Sequence, residues 1–140
     1  MATFSSTGAD DLILSLEEVA NLPDSVKDDI LNAQADVVVK AQKAKARSYG
    51  VNKTGVLIGS ITKGKPKTSK GVRTLAVYPR GTRKRGDKTV RNAEIAFVTE
   101  FGRRKQKARP FIRDANEESA AETTAAGAAV YDKFLKSKNL

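Results

Sequence analysis

Apolar positions recur along this chain with two different periods, and the change of period divides it into elements. From Ala9 to Leu22, Leu12, Leu16, Val19 and Ala20 keep helical spacing, with Asp10 and Asp11 at the end where a helix dipole favours acids. "NLPDSV" interrupts that pattern, and Pro23 is suited to open a second helix. That helix is predicted from about Asp24 to about Arg47, along a stripe of Val26, Ile30, Ala33, Val37, Ala41 and Ala44. Its acids (Asp28, Asp29, Asp36) come early and its bases (Lys40, Lys43, Lys45, Arg47) come late, and Gly50 can take the left-handed conformation that stops it.

Beyond Gly50 the pattern changes. Val56, Leu57, Ile58 and Ile61 read as a short apolar strand or tight turn entering a sheet. "KGKPKTSKG" (63–71) reads as a loop, "VRTLAVYP" (72–79) as a strand, and "RGTRKRGDKTVRN" (80–92) as a second loop. "AEIAFVTEF" (93–101) alternates Ala93, Ile95, Phe97, Thr99 and Phe101 against Glu94, Ala96, Val98 and Glu100, which predicts a third strand. From Arg109 to about Lys136 the period is helical again, with Phe111, Ile112, Ala115, Ser119, Ala126, Val130 and Phe134 setting the face. The small side chains of "ESAAETTAAGAAV" would let this helix pack close to another body. The expected fold is α+β: an antiparallel sheet of three to four strands, packed by a long helix and a C-terminal helix, with a short N-terminal helix.

Composition narrows the chemistry. At 140 residues, one domain spanning 1–140 is the natural count, with residues 1–8 small, polar and expected to fray. The hydrophobic share of 39% and the charged share of 30% suit an ordinary globular protein, and no apolar run approaches the roughly 18 residues of a membrane span. The start "MATFSSTGADD" has neither the basic nor the apolar region of a secretory signal. With no Cys and no His, disulfides, thiolate nucleophiles, Cys/His zinc sites and imidazole acid–base chemistry are excluded. The expectation is a non-enzyme without cofactor or metal and without a small-molecule substrate.

Charge is segregated. Residues 1–39 carry eight acids and one base, residues 40–113 carry 22 bases and three acids, and residues 114–140 carry five acids and three bases. The cations gather in three predicted loops: Lys63, Lys65, Lys67 and Lys70; then Arg80, Arg83, Lys84, Arg85, Lys88 and Arg91; then Arg103, Arg104, Lys105, Lys107 and Arg109. A meander would place the first and third clusters at one end and the second at the other. Such segregation serves either a nucleic-acid footprint or subunits meeting acidic face on basic face. The chain's aromatic residues all lie outside the cationic loops, which argues against a base-stacking single-strand binder and leaves phosphate contact open.

Two motifs fail as chemistry. Gly59, Gly64 and Lys65 have the spacing of a phosphate-binding loop, but Pro66 stands where Ser or Thr must ligate magnesium and lead into a helix. Glu94 and Glu100, on one predicted strand, would lie about 20 Å apart, too far for a paired-carboxylate site. Glu100 is instead expected to pair with Arg103, Arg109 or Arg113.

"TGVLIGSI" (54–61), followed some 40 residues later by "AFVTEFGRRKQKARPFIRDA" (96–115), resembles the neck or tail-completion family of long-tailed bacteriophages. That family typically shows Thr-Gly-x-Leu-x-x-Ser-Ile, then an apolar segment closing in Glu-Phe-Gly, a short loop, and Ala-Arg-Pro-Phe opening the last helix. The matching positions are Thr54, Gly55, Leu57, Ser60 and Ile61, then Glu100, Phe101, Gly102, Ala108, Arg109, Pro110 and Phe111. The departures are the long basic 80–92 segment and the cationic "RRKQK", where family members often have a small polar loop. The resemblance implies a structural virion protein, assembled in the host cytoplasm as a homo-oligomeric ring at the head–tail junction. Its partners would be adjacent neck and tail proteins and packaged double-stranded DNA. The alternative reading is a basic, non-enzymatic nucleic-acid-binding protein.

Overall fold

Pro23 begins the longest element. The computed structural model describes Leu16, residues 21–51 and residues 55–140; the helix expected over 9–22 falls almost wholly outside the described residues, as does Thr54. Helix α1 (Asp24–Ser48) starts where the amides of Val26 and Lys27 donate to the Pro23 carbonyl at 3.1 Å. It ends in a Schellman motif: Val51 N–H bonds the Ala46 carbonyl at 3.0 Å and Gly50 N–H the Arg47 carbonyl at 3.1 Å. Gly50 has φ +67°, the left-handed conformation anticipated for the stop.

The predicted stripe on α1 is only half-buried, and Ala44 is exposed. The deepest burial falls on a second face, at Ala35, Gln42 and Ala46. The cause is packing on two sides: α1 lies against the last helix along one flank and against the strands along the other.

The fold is α+β, as expected, but among the described residues the strands form three separate antiparallel ladders of two strands each rather than one sheet. After the short helix α2 (Val56–Ser60), β1 (Ile61–Lys63) pairs with β4 (Val77–Pro79) in the register Ile61↔Pro79 to Lys63↔Val77. Between them, β2 (Lys67–Ser69), from the segment expected as a loop, forms a hairpin with β3 (Val72–Thr74), from the expected strand, turning through Lys70 and Gly71, both at positive φ. The strand expected over 72–79 is therefore interrupted at Leu75 and Ala76. The second expected loop is also a hairpin, β5 (Thr82–Arg85) with β6 (Lys88–Arg91), turning at Gly86.

Residues 93–101 are not a strand. They lie in helix α3 (Asn92–Phe101). The segment fits a period near 3.6 as well as a period of two, and tertiary contacts decide between them. Asn92 fixes the start: its Nδ2 donates to the Arg80 carbonyl at 2.8 Å and its Oδ1 accepts from Arg83 Nε at 3.0 Å. One helical face then buries Asn92, Ala96, Thr99 and Glu100. The C-terminal helix is likewise two helices, α4 (Phe111–Glu118) and α5 (Ala120–Ser137), joined at Ser119. On α5 the small residues allow the close approach expected of them: a Cβ at Gly127 would meet Gln34 of α1 at 2.6 Å.

The core gathers at the C-terminal half of α1. Ala46, Leu57, Ile58, Ile61, Ala96 and Phe111 form one buried cluster, flanked by Val39, Tyr49, Val51, Val77, Ile95 and Ile112.

Candidate interface surfaces

The two motif segments, distant in sequence, meet in this core. Leu57, Ile61 and Phe111 are all buried there, and Gly55, with φ +73°, starts α2. Ser60 Oγ donates to the Leu57 carbonyl at 2.6 Å, and the Ser60 carbonyl accepts the Arg80 amide at 2.8 Å. Glu100 does not take the side-chain ion pair expected of it. Its two carboxylate oxygens accept the backbone N–H groups of Ile112 and Arg113, each at 2.9 Å, and so cap the first turn of α4. Pro110 occupies the position just before that turn. Gly102 is required by geometry: at φ +75° and ψ 179° it holds a conformation nearly confined to glycine, and a Cβ would meet the Gln106 carbonyl oxygen at 2.7 Å.

The cation clusters sort into tethered and free side chains. Lys63 pairs with Asp36 at 2.8 Å, and Arg73 forks onto Asp28 through Nε at 2.6 Å and Nη2 at 2.8 Å, tying the β2–β3 hairpin to the first half of α1. Arg109 Nη1 donates to the carbonyls of Tyr49 and Gly50, which closes the other end of α1. Asp28 and Tyr49 are 21 positions apart, or about 30 Å along a helix. The first and third clusters therefore lie toward opposite ends of α1, not at one end as a meander would require. In the second cluster, Arg80 stacks on the Tyr78 ring at 4.5 Å and lies beneath Gly64. Arg83 is held by Asn92, and burial, with Arg85 nearby, pushes its pKa down. Lys65, Lys67, Lys70, Lys84, Arg85, Arg103, Arg104, Lys105 and Lys107 are exposed and meet no carboxylate among the described residues.

Two apolar features were invisible in the strand reading. Winding 92–101 as a helix puts Phe97 and Phe101 four positions apart on the outer face, 64% and 67% exposed, with ring centroids 4.8 Å apart. The cationic turn follows directly, pinned by reciprocal backbone bonds between Arg103 and Gln106 and by Arg109 N–H on the Thr99 carbonyl. The second feature is an open cleft of about 280 Å³ beside α1, lined by Leu31, Ala35, Val38, Gln42, Leu75 and Val77. Gln42 donates to Asn116 Oδ1 at 3.0 Å, but its own buried Oε1 finds no donor among the described residues. The i, i+4 spacing of Phe97 and Phe101 was the available signal for the first; the cleft depends on long-range packing and had none.

A polar bridge ties α1 to α4. The Tyr49 hydroxyl donates to Asp114 Oδ2, Arg113 donates to the other oxygen at 3.0 Å, and Lys45 pairs with Glu118 at 2.5 Å. The Tyr49 bond chiefly, helped by Arg113 and opposed by burial, holds Asp114 below the ordinary carboxylate value; the same bond raises the Tyr49 phenol. A depressed carboxylate stabilises the fold above its unfolded pKa, and that contribution is lost as pH falls through the folded one; a raised phenol contributes below its unfolded pKa and loses the contribution as pH rises. The melting temperature is accordingly expected to be level through neutrality and to fall below about pH 4 and above about pH 10. Tyr49→Phe should melt lower than the parent at pH 7, with the gap narrowing in acid as Asp114 protonates. An equal gap at pH 3 and pH 7 would remove the bridge from the account.

Among the described residues no helix is long and apolar enough to cross a membrane. Comparison of the chain with family models, curated proteins and solved structures returns no match, so the surfaces themselves carry the functional reading.

Proposed function

We propose that this chain is a structural, non-enzymatic subunit of the bacteriophage neck, forming a ring that joins the DNA-filled head to the tail. The observation that carries the reading is the joint use of its two motifs. Thr-Gly-x-Leu-x-x-Ser-Ile and Glu-Phe-Gly…Ala-Arg-Pro-Phe resemble that family in order, and Leu57 and Ile61 of the first meet Phe111 of the second in one core, beside which Glu100 caps the helix opened by Pro110 and Phe111. The same arrangement leaves Phe101 and the cationic turn exposed for contact. An exposed aromatic pair beside exposed arginines is the composition of a protein interface more than of a solvated loop. The partners on this reading are further copies of the chain, adjacent neck and tail proteins, and packaged double-stranded DNA; the location is the virion.

A second reading, a basic nucleic-acid-binding protein, draws on the free cations Lys84 and Arg85 near the tip of the β5–β6 hairpin. It requires tight, steeply salt-dependent binding of free duplex by the isolated chain.

The test is quantitative mass spectrometry of purified virions of the phage that encodes the chain, counting it against the portal protein. A low, fixed, ring-like copy number is expected. Absence from virions would overturn the neck reading.

A further inference from the structure

Helix α3 ends in a patch of two parts. Phe97 and Phe101 stand clear of the core with their rings in contact. Directly after them come Arg103, Arg104, Lys105 and Lys107, exposed and without a carboxylate partner among the described residues. A complement to this patch has to bring apolar side chains with carboxylates beside them. The start of α1 does not supply it, because Arg73 holds Asp28, Lys27 pairs with Asp24 and Lys63 with Asp36.

Residues 9–22, "ADDLILSLEEVANL", have that make-up and, apart from Leu16 and positions 21–22, lie outside the described residues. They carry four acids and no base. On a helical period Leu12, Leu16 and Val19 fall in one stripe. Asp10 and Glu17, seven apart, follow one edge of it, and Asp11 and Glu18, also seven apart, follow the other. Leu16 is helical and 51% exposed, so half of a stripe leucine is open to solvent.

Tether length decides whose patch the segment can meet. It joins α1 at Pro23, whereas the patch lies toward the other end of that helix: Arg109 donates its N–H to the Thr99 carbonyl of α3 and its Nη1 to the Gly50 carbonyl just past α1. α1 is about 37 Å long, while the seven positions from Leu16 to Pro23 span about 10 Å as a helix. A copy's own leucine stripe therefore stops well short of its own aromatic pair.

We propose that the acidic, apolar segment 9–22 of one copy docks as a helix on the Phe97–Phe101 pair of a second copy, with its carboxylates facing the cations of the 103–107 turn. Segment and patch are different surfaces, so every copy offers one of each and the contact is head to tail. Such a contact closes into a ring when its rotation divides a full turn. The proposal rests on the ring reading above and names the contact through which the copies join.

The absence of cysteine in the chain allows a cross-linking test. Ser15→Cys, beside the leucine stripe, and Gln106→Cys, in the turn, leave the apolar side chains and the charges in place. Each is checked against the parent by circular dichroism and thermal melting. Each variant alone and their equimolar mixture are then treated with a short bis-maleimide. The mixture is expected to give several-fold more covalent dimer than either variant alone, and the doubly substituted chain a ladder of larger species. As much dimer from one variant alone, a cross-link closed within a single chain, or no dimer from folded variants in the mixture would each overturn the contact.

A charge swap reads the pairing itself. Arg103→Glu with Arg104→Glu on the Gln106→Cys chain should cut the mixed dimer several-fold, and Glu17→Arg with Glu18→Arg on the Ser15→Cys chain should restore it. No loss, or loss without recovery, would overturn the proposal. The virion count reads the neck assignment separately. No mixed dimer beside a ring-like count defeats this contact alone; mixed dimer beside absence from virions defeats the neck reading and leaves the contact standing.

Discussion

Phe111→Ala is expected to cost about 3–5 kcal/mol of unfolding free energy, the range for truncating a fully buried aromatic side chain. Among the described residues Phe111 is the largest side chain with no exposure, and it is where the two motif segments touch: Leu57, Ile58 and Ile61 come from one, Phe111 from the other. Removing the ring opens a void between elements that no sequence neighbour can fill, because α2, α3 and α4 reach it from three separate parts of the chain. Small domains are typically stable by about 5–15 kcal/mol, so the loss is a large share of the total. Urea denaturation of the parent, Phe111→Ala and Phe111→Leu is the measurement. A cost below about 1.5 kcal/mol for the alanine variant, inside the range of volume-conserving swaps, would show that this ring does not bind the segments together.

Glu100→Ala is the second large effect, expected at about 2–4 kcal/mol, since hydrogen bonds to a charged group contribute about 1.5–3 kcal/mol each and are not additive. Its loss leaves the amides of Ile112 and Arg113 without their acceptors at the start of α4. Glu100→Gln keeps one acceptor oxygen and should lose roughly half as much. Amide hydrogen exchange gives the local reading: Ile112 and Arg113 should exchange faster in Glu100→Ala than in the parent, while Ala46, fully buried within a long helix, follows global stability. Unchanged exchange at both amides would remove the cap. The consequence for assembly is geometric. Glu100 and Phe101 are adjacent, so the cap that fixes α4 also fixes the end of α3 from which the aromatic pair projects.

The helical stretch 24–48 was legible because its signals are local. Pro23 opens it, Gly50 closes it, and acids precede bases along its length. The α+β class and the burial of Leu57, Ile61 and Phe111 were legible for the same reason, since apolar positions at short spacing must find a core. The segment 93–101 was not. Its residues satisfy both periods, and under the strand reading Phe97 and Phe101 share a face with Ile95 and Thr99. In the helix the two phenylalanines part from those neighbours and face outward together. That one change converts a presumed core strand into an exposed aromatic pair. Ser119 breaks the last helix without Pro or Gly, so no local residue type announced it.

For the cations, composition located the clusters, and only the folded structure separated tethered from free. Arg80 and Arg109 are ordinary members of basic runs in the sequence, and Arg73 is one cation in an apolar stretch. Arg73 reaches Asp28 across 45 positions, Arg109 reaches the end of α1 across about 60, and Arg80 folds over Tyr78. The sequence by itself determined where the 24–48 helix starts and stops, which short apolar positions seek burial, and the sign of charge along the chain, because each depends on neighbours within a turn or two. Tertiary structure decided which period 93–101 follows, which carboxylate caps rather than pairs, and which aromatics and cations remain for a partner. Those outcomes turn on contacts between distant segments, whose energies no local pattern encodes.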